Sequence, residues 1–168
     1  MENVLNVAQY IYDEYKRETG EKIDEFKLQK LIYFCQRESF AIKGVQLFND
    51  SLEGWVHGPV SPIVRMYYEE DFGINYSTNE LIEDDARIVR NVLAEYGGLA
   101  SWKLRNLSHE EISWRNSRMG LNPNDRGNRK LNLDDIKKDA EKVRPFDYTW
   151  GMYYDEFDDY EEGASWVM

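Results

Sequence analysis

Residues 25 to 42 are apolar on most sides of the helix that their spacing predicts, and this segment constrains the fold more than any other. Asp24 is a suitable cap for its start, and Gly44 is a suitable stop. The predicted buried face carries Leu28, Leu31, Ile32, Cys35 and Ile42, widened by Phe26, Tyr33, Phe34 and Phe40. A helix of this kind needs neighbours on most of its sides. We therefore expect it in the middle of a helical core.

Helical periodicity also predicts the elements around this central helix. The predicted helices cover residues 3–18, 62–72, 79–96, 100–107, 110–118 and 133–143, and the Gly-, Asn- and Pro-rich stretch 120–130 is predicted to be a loop. Ser61 and Pro62 form a strong helix start, because serine caps free amides and proline at the first position loses no hydrogen bond. In the helix that follows, Ile63, Met66 and Tyr67 are expected to face the core.

A short β-hairpin is predicted between the second and third helices. The run VQLF, then NDS, then LEGWV indicates two short strands joined by an Asn-Asp-Ser turn, and we expect no other sheet. The predicted fold class is therefore mainly α: a compact helical domain with one small β-hairpin.

The stretch LEGWVHGPVSP predicts a rigid corner between strand and helix. Pro59 fixes its own backbone angle and forces Gly58 toward an extended conformation, and a helix starts directly afterwards. Trp55 and His57 lie two residues apart, so their side chains project from the same side of a strand. Both are then expected either to pack against the second helix or to line a surface groove.

Length and composition fit one domain inside the cell. The chain has 168 residues, 42% of them hydrophobic and 14% aromatic, which is enough to build a core. No apolar run approaches the roughly 18 residues of a membrane-spanning helix, and the first residues lack the pattern of a signal peptide. Cys35 is the single cysteine, which excludes an internal disulfide and a cysteine-based metal cluster. We expect a cytoplasmic protein with no membrane contact.

The charge of the chain is strongly acidic and unevenly distributed. A net charge of −11 argues against direct nucleic-acid binding, which depends on neutralising phosphates with Lys and Arg. After Arg144 there is no Lys or Arg, and seven acidic residues contribute −7, leaving −4 for residues 1 to 144. We therefore predict two parts: a helical domain at 1–144 and an acidic, aromatic C-terminal tail at 145–168.

The tail is a candidate contact surface, because exposed aromatic patches usually mark one. We expect it to be dispensable for folding but to matter for partner choice. It is expected to dock on a basic stretch when no partner is present: Arg115, Arg118, Arg126, Arg129 and Lys130. The competing interpretation is that its aromatic residues complete the core. Candidate partner-binding residues, with the corner included, are Trp55, His57, Trp150, Tyr153, Tyr154, Phe157, Asp158, Asp159 and Tyr160.

Catalytic motifs are absent from the sequence. His57 and His109 are the two histidines, and neither lies in an HExxH, HxH or DxD pattern that would favour a metal site. There is also no GxSxG elbow, phosphate loop or GxGxxG fingerprint. We expect that the protein is not an enzyme and binds no cofactor or metal, and that both histidines have structural roles.

Three segments together resemble the Panacea antitoxin domain, also called the SocA-like or GepA-type family. FKLQKLIYFCQ contains the family's K-L-Q-K-L-x-Y helix, LEGWVHGPVSP its E-x-W-x-x-G-P-V corner, and LSHEEISW its late T-H-x-E-x-P-W signature, with Ser108 and Ser113 in place of threonine and proline. The resemblance spans about residues 5 to 120 and leaves the tail outside. The residues that it marks as structural are Lys27, Gln29, Lys30, Tyr33, Glu53, Gly58, Pro59, His109 and Trp114.

The resemblance implies a mostly helical, phage-associated domain that occurs in antitoxins. Such a protein neutralises a cognate toxin by direct protein contact, and the toxin differs from one family member to the next. The alternative is a phage anti-defence protein whose acidic tail mimics nucleic acid and occupies a basic channel on a host nuclease. The toxin's identity and the oligomeric state are left open.

Overall fold

The computed structural model describes residues 1–76 and 80–157. Seven helices cover most of this part: α1 (Val4–Thr19), α2 (Glu25–Lys43), α3 (Pro62–Tyr67), α4 (Glu83–Tyr96), α5 (Ser101–His109), α6 (Ile112–Ser117) and α7 (Leu133–Glu141). Two antiparallel pairs of short strands complete it: β1 (Glu53–Trp55) with β2 (Gly58–Val60), and β3 (Phe146–Asp147) with β4 (Met152–Tyr153). The fold is mainly α with small hairpins, as predicted.

The first two helices begin and end at capping residues. The Asn3 side chain accepts a hydrogen bond from the amide of Leu5, and Asp24 accepts one from Lys27, each at 2.8 Å. Gly20 and Gly44 follow the helices with φ of 76° and 73°, a left-handed conformation that glycine adopts without steric cost. These local signals explain why the predicted bounds of α1 and α2 are close to the observed ones.

Helix α2 lies at the centre of the molecule, as predicted. It packs against α1, α4, α5, α7 and strand β2. Six of its apolar residues are fully buried: Leu28, Leu31, Ile32, Tyr33, Phe34 and Cys35. Phe26, Phe40 and Ile42, which were also expected on the buried face, are only partly buried because they lie near the ends of the helix. Every other part of the core is therefore positioned relative to this helix.

The predicted hairpin was misplaced by one segment. The VQLF run is not part of the hairpin: the Gln36 side chain accepts hydrogen bonds from the amides of Leu47 and Phe48 at 2.7 and 3.3 Å, and Phe48 forms only an isolated bridge to Glu2. The observed hairpin pairs β1 with β2 through a turn at residues 56–57. The expected corner is thus itself the second strand. The expectation of one sheet was also wrong, because β3 and β4 form another.

Helix α3 is shorter than predicted, and its orientation was predicted wrongly. It ends at Tyr67, and Val64 is its buried residue. Ile63, Met66 and Tyr67 are 37%, 81% and 47% exposed. Six residues make fewer than two turns, so the helix presents only a narrow face to the core. Helix α4 begins at residue 83 instead of 79; residues 77–79 lie outside the described part.

The described part of the tail packs against α4. Asp147 is fully buried, and its carboxylate accepts a hydrogen bond from the Asn91 side chain at 3.3 Å. Asn91 also donates to the Tyr154 hydroxyl at 2.9 Å and accepts from the amide of Tyr148 at 3.0 Å. Arg144 pairs with Asp155 at 2.9 Å. Residues 146–157 thus lie on α4 and not on the basic stretch at 115–130, so the expected docking site was wrong for them.

Across the described residues, no helix has the length and apolar character needed to cross a membrane.

Candidate partner-binding groove

Helix α2 holds strand β2 through two polar side chains. The Gln29 amide accepts from the backbone of Ser61 at 2.8 Å and donates to its carbonyl at 3.2 Å. The buried ammonium group of Lys30 donates to the Pro59 carbonyl at 2.9 Å. Both residues belong to the K-L-Q-K-L segment, so one turn of α2 fixes the position of the hairpin.

Gly58 allows the hairpin to approach α2 and α5 closely. Its φ is 126°, and a Cβ at this position would lie 2.7 Å from both the Lys30 Cε and the Ser108 hydroxyl. Residues with a side chain rarely adopt this conformation, and here they would also collide with both helices. The glycine is therefore required by backbone conformation and by packing.

Helix α6 supports the first strand of the hairpin. The Trp114 indole donates to the Trp55 carbonyl at 2.8 Å, and the Arg118 guanidinium donates to the Gly54 carbonyl at 3.2 Å. A Cβ on Gly54 would overlap the Ser117 side chain, so strand and helix are in direct contact. Trp114 also stacks on His109 with ring centroids 3.8 Å apart. The late signature segment thus acts as a support for the hairpin.

A buried polar cluster fixes α6 against α2 and α7. The Tyr33 hydroxyl lies 3.0 Å from carboxylate oxygens of Glu111 and Asp139 and 3.2 Å from the Ser113 hydroxyl. Arg37 donates to Glu111 at 2.6 Å. Burial raises the pKa of Tyr33 well above its usual value, and the nearby carboxylates add to this effect. Tyr33 therefore acts here as a neutral hydrogen-bonding group.

The first two segments line an open groove of about 890 Å³, and the third segment supports its hairpin through Trp114. One wall is the start of α2, another is the hairpin turn, and a third is the loop between α6 and α7. The lining residues are Glu25, Phe26, Gln29, Lys30, Trp55, Val56, His57, Val60, Arg65, Asn124, Arg126, Gly127 and Asn128. The structure thus places the predicted candidates Trp55 and His57 together at one surface groove.

The charged groups of the groove are unequal in number. Arg65 pairs with Glu25 at 2.8 Å and lies over the Trp55 ring at 5.6 Å. Arg126 is exposed on the loop, and Lys30 lies in the floor. Burial lowers the pKa of Lys30 to about 7, partly opposed by the negative charge of Glu25. Because Lys30 is about half protonated at pH 7, the fully charged cations of the groove are Arg65 and Arg126, which still outnumber the single carboxylate of Glu25.

The two histidines lie beside this groove in different environments. His57 is exposed at the hairpin turn, and its Nδ1 accepts a hydrogen bond from Arg105 at 3.3 Å. Burial, together with the nearby positive charge of Arg105, lowers the pKa of His109 to about 4. His109 is therefore a neutral ring stacked on Trp114 at pH 7. Within residues 1–76 and 80–157, no group of three or more His, Cys, Asp or Glu residues is arranged to hold a metal ion.

The tail candidates lie at the other end of α2. Trp150, Tyr154 and Phe157 line a second cavity of about 730 Å³ beside Ala41 and Ile42. Tyr153 packs on Phe146 and under Arg144. The structure therefore separates the predicted partner-binding residues into two surfaces. Asp158, Asp159 and Tyr160 lie outside the described residues.

The remaining structural residues of the signature segments each have a partner. Lys27 donates to the Gly97 carbonyl at 3.0 Å, and Glu53 accepts from the Trp55 indole at 2.9 Å. Sequence reasoning missed Arg65 and assigned Arg126 only to the basic stretch expected to receive the tail, because no local pattern shows that a loop residue 71 positions after Trp55 meets the hairpin. It also missed the cluster around Arg37 and Asp139, whose members are 102 positions apart.

The comparison with known families agrees with this geometry. No curated protein and no solved structure matches the chain. The family model described as "Antitoxin SocA-like, Panacea domain" matches residues 28–115, which is 88 of the 168 residues. The match contains most of α2, both strands of the hairpin and helices α3 to α5. The chain therefore belongs to the SocA-like antitoxin family and contains a Panacea domain.

Proposed function

We propose that this protein is the antitoxin of a toxin–antitoxin system and neutralises its cognate toxin by direct protein–protein binding at the groove. The observation that carries the proposal is that the family-matched segments converge there: Lys30 from α2 and Trp55 from the hairpin line the groove, while α5 and α6 support it. The family suggests a protein partner, and seven of the thirteen residues that line the groove lie within the matched range 28–115.

The composition of the groove supports a protein partner. Binding energy at protein interfaces is concentrated in a few residues, and Trp and Arg are enriched among them. Trp55, Arg65 and Arg126 supply these types, with Phe26 and Val60 as apolar surroundings. Because Gly58 and Lys30 hold the hairpin in place, the groove is formed before a partner arrives, which lowers the entropic cost of binding.

We propose binding rather than catalysis as the mode of action, with no resident metal or cofactor. His109 is stacked and has a lowered pKa, and His57 is engaged by Arg105. We expect that purified protein, dialysed against Zn²⁺ or Mn²⁺, retains no stoichiometric metal by elemental analysis. Tight 1:1 metal binding that disappears in the His57→Ala, His109→Ala double variant would contradict this expectation.

The nucleic-acid mimic is the weaker candidate. A mimic needs carboxylates displayed as an array, whereas Asp147 is buried beside Arg87 at 3.5 Å, and Asp155 and Glu156 lie within 3.7 Å of Arg144. These three carboxylates are used within the chain, and the other four acidic residues of the tail lie outside the described residues.

Co-expression with the open reading frame beside its gene tests the function. Growth should stop when the neighbouring reading frame is expressed alone, and co-expression of this protein should restore it. The two proteins should also copurify. Trp55→Ala should reduce rescue, Trp150→Ala tests the second surface, and Trp102→Ala changes an exposed tryptophan outside both cavities.

Two results would count against the proposal. A neighbouring product that is toxic but neither copurifies with this protein nor is neutralised by it would remove the antitoxin role. Full rescue by Trp55→Ala at wild-type protein levels, together with loss of rescue in Trp150→Ala, would move the contact surface to the tail.

A further inference from the structure

We infer that the groove recognises an acidic segment of the toxin that also carries an apolar side chain, an inference that rests on the proposed function. The starting observation is a local reversal of charge. The chain carries −11, whereas the exposed charged groups of the groove lining are Arg65 and Arg126 against Glu25 alone, with the buried Lys30, about half protonated at pH 7, in the floor. A cationic groove attracts acidic partners, whereas the net negative charge of the chain opposes the approach of other copies of the same chain.

The cations differ in their availability to a partner. The Glu25 carboxylate is already shared between Arg65 at 2.8 Å and Gln29 at 3.5 Å. Among the described residues, Arg126 takes part in no ion pair, and its loop position exposes it. A guanidinium group presents donors in a planar fork that matches a carboxylate. Arg126 is therefore the residue best placed to receive an Asp or Glu side chain.

Apolar and aromatic surface lies next to these cations. The Lys30 ammonium lies 4.7 Å from the Phe26 ring centroid, and Arg65 lies over Trp55. Val56 and Val60 complete the apolar part of the lining. A volume of about 890 Å³ falls within the roughly 300–1,000 Å³ of typical ligand pockets, which is enough for a few side chains. An acidic residue flanked by an apolar one thus matches both parts of the groove.

A nucleic acid fits this surface less well. Phosphate-dependent binding requires several neutralising cations along a strand, and the groove offers two exposed arginines in a chain of strongly negative charge. Charge complementarity together with the apolar lining favours a protein segment.

Binding of the purified toxin to full-length variants tests the inference. Arg126→Glu should weaken the affinity at least tenfold at low salt, whereas Arg126→Lys should keep most of it. Lys137→Glu makes the same change of charge at an exposed position of α7 outside the groove, and should change the affinity less than twofold. A toxin variant in which the matching carboxylate is replaced by lysine should bind Arg126→Glu again, and it should bind the unaltered protein poorly.

The outcomes separate this inference from the proposed function. If the unaltered protein fails to bind the toxin, the proposed function fails. If it binds, and Arg126→Glu and Lys137→Glu bind equally well, the acidic-segment inference fails while the antitoxin role stands. A fluorescent single-stranded oligonucleotide that binds the unaltered protein and is released by Arg126→Glu would overturn the inference by assigning the groove to nucleic acid.

Discussion

The ammonium group of Lys30 is an unusual component of a helix core. Only 1% of the residue is exposed, and the group reaches the Pro59 carbonyl and the face of Phe26. Burial disfavours the charged form, which is why the pKa falls to about 7. The sequence places Lys30 next to the apolar face but contains no sign of its burial, because the burial depends on the close approach of the hairpin at Gly58.

Lys30→Met is expected to remove a pH dependence of stability. In the unfolded chain the lysine keeps its proton up to about pH 10.5, whereas in the folded protein it loses the proton near pH 7. Between pH 7 and 9 the unfolded state therefore binds more protons, so the unfolding free energy of the unaltered protein should rise relative to Lys30→Met by about 1 kcal/mol per pH unit. Urea unfolding at pH 6, 7, 8 and 9 measures this difference. Parallel curves for the two proteins would show that Lys30 is not desolvated.

Gly58→Val is expected to destabilise the fold by about 1 kcal/mol or more, because a β-branched residue is strained at a φ of 126° and its Cβ meets Lys30 and Ser108. Thermal melting checks the change. Gly98→Val is a matched control, since a Cβ on Gly98 meets nothing within 4 Å. Equal melting temperatures for Gly58→Val and the unaltered protein would mean that the hairpin shifts without cost.

Helices α6 and α7 are joined through one carboxylate. Asp139 accepts hydrogen bonds from the amides of Ile112 and Ser113 at 2.7 and 3.0 Å, and so caps α6 from another helix. Burial alone would raise the pKa of Asp139, but these hydrogen bonds and those from the Ser113 and Tyr33 hydroxyls outweigh it and lower the pKa. The charged form is therefore the one that stabilises the fold.

Asp139→Asn should lower the unfolding free energy at pH 7 by about 2 kcal/mol, the usual range for hydrogen bonds to a buried charged group. Hydrogen exchange should also accelerate at the Ile112 and Ser113 amides, which lose their acceptor. Glu141→Gln removes an exposed charge from the same helix and serves as control. Unchanged exchange at both amides in Asp139→Asn would contradict the capping role.

At the level of elements, the sequence predicted what local chemistry decides. Asp24, Gly20 and Gly44 determine where α1 and α2 begin and end, and these bounds were close. The hairpin was misplaced because its turn at residues 56–57 lacks the Asn-Gly or Asp-Gly pair typical of two-residue turns. The VQLF run was predicted to be a strand. The sequence does not show that the side chain of Gln36, 11 residues before Leu47, accepts the hydrogen bond of the Leu47 amide. The sequence identified Trp55 and His57 as candidates, whereas the position of Arg126 beside them follows only from the folded chain.

At the level of the whole molecule, the tail continues the fold as far as it is described. Asp147 lies against Arg87 and Asn91, so a chain that ends at Arg144 leaves these polar groups of α4 without their buried partner. The boundary between the domain and the tail at residue 144 stays a prediction.

Two truncations test that boundary. Ending the chain after Phe157 should preserve the unfolding free energy contributed by Asp147, whereas ending it after Arg144 should lower it, because buried polar groups lose their partners. Chemical unfolding measures the stability, and toxin neutralisation measures the function. Equal stability of the two truncations would mean that residues 145–157 are dispensable for folding. Loss of neutralisation already in the chain that ends after Phe157 would assign partner choice to residues 158–168.

The first hairpin is already bonded on both sides, and this limits how partners can be bound. The amide of Gly54 donates to Arg129, the amide of Leu131 donates to Leu52, and the far strand is held by Gln29 and Lys30. A partner therefore cannot extend this pair by adding its own strand, and neither can a second copy, which protects the hairpin against edge-to-edge aggregation. Recognition has to proceed through side chains, and these can be exchanged for others while the backbone that presents them is left unchanged.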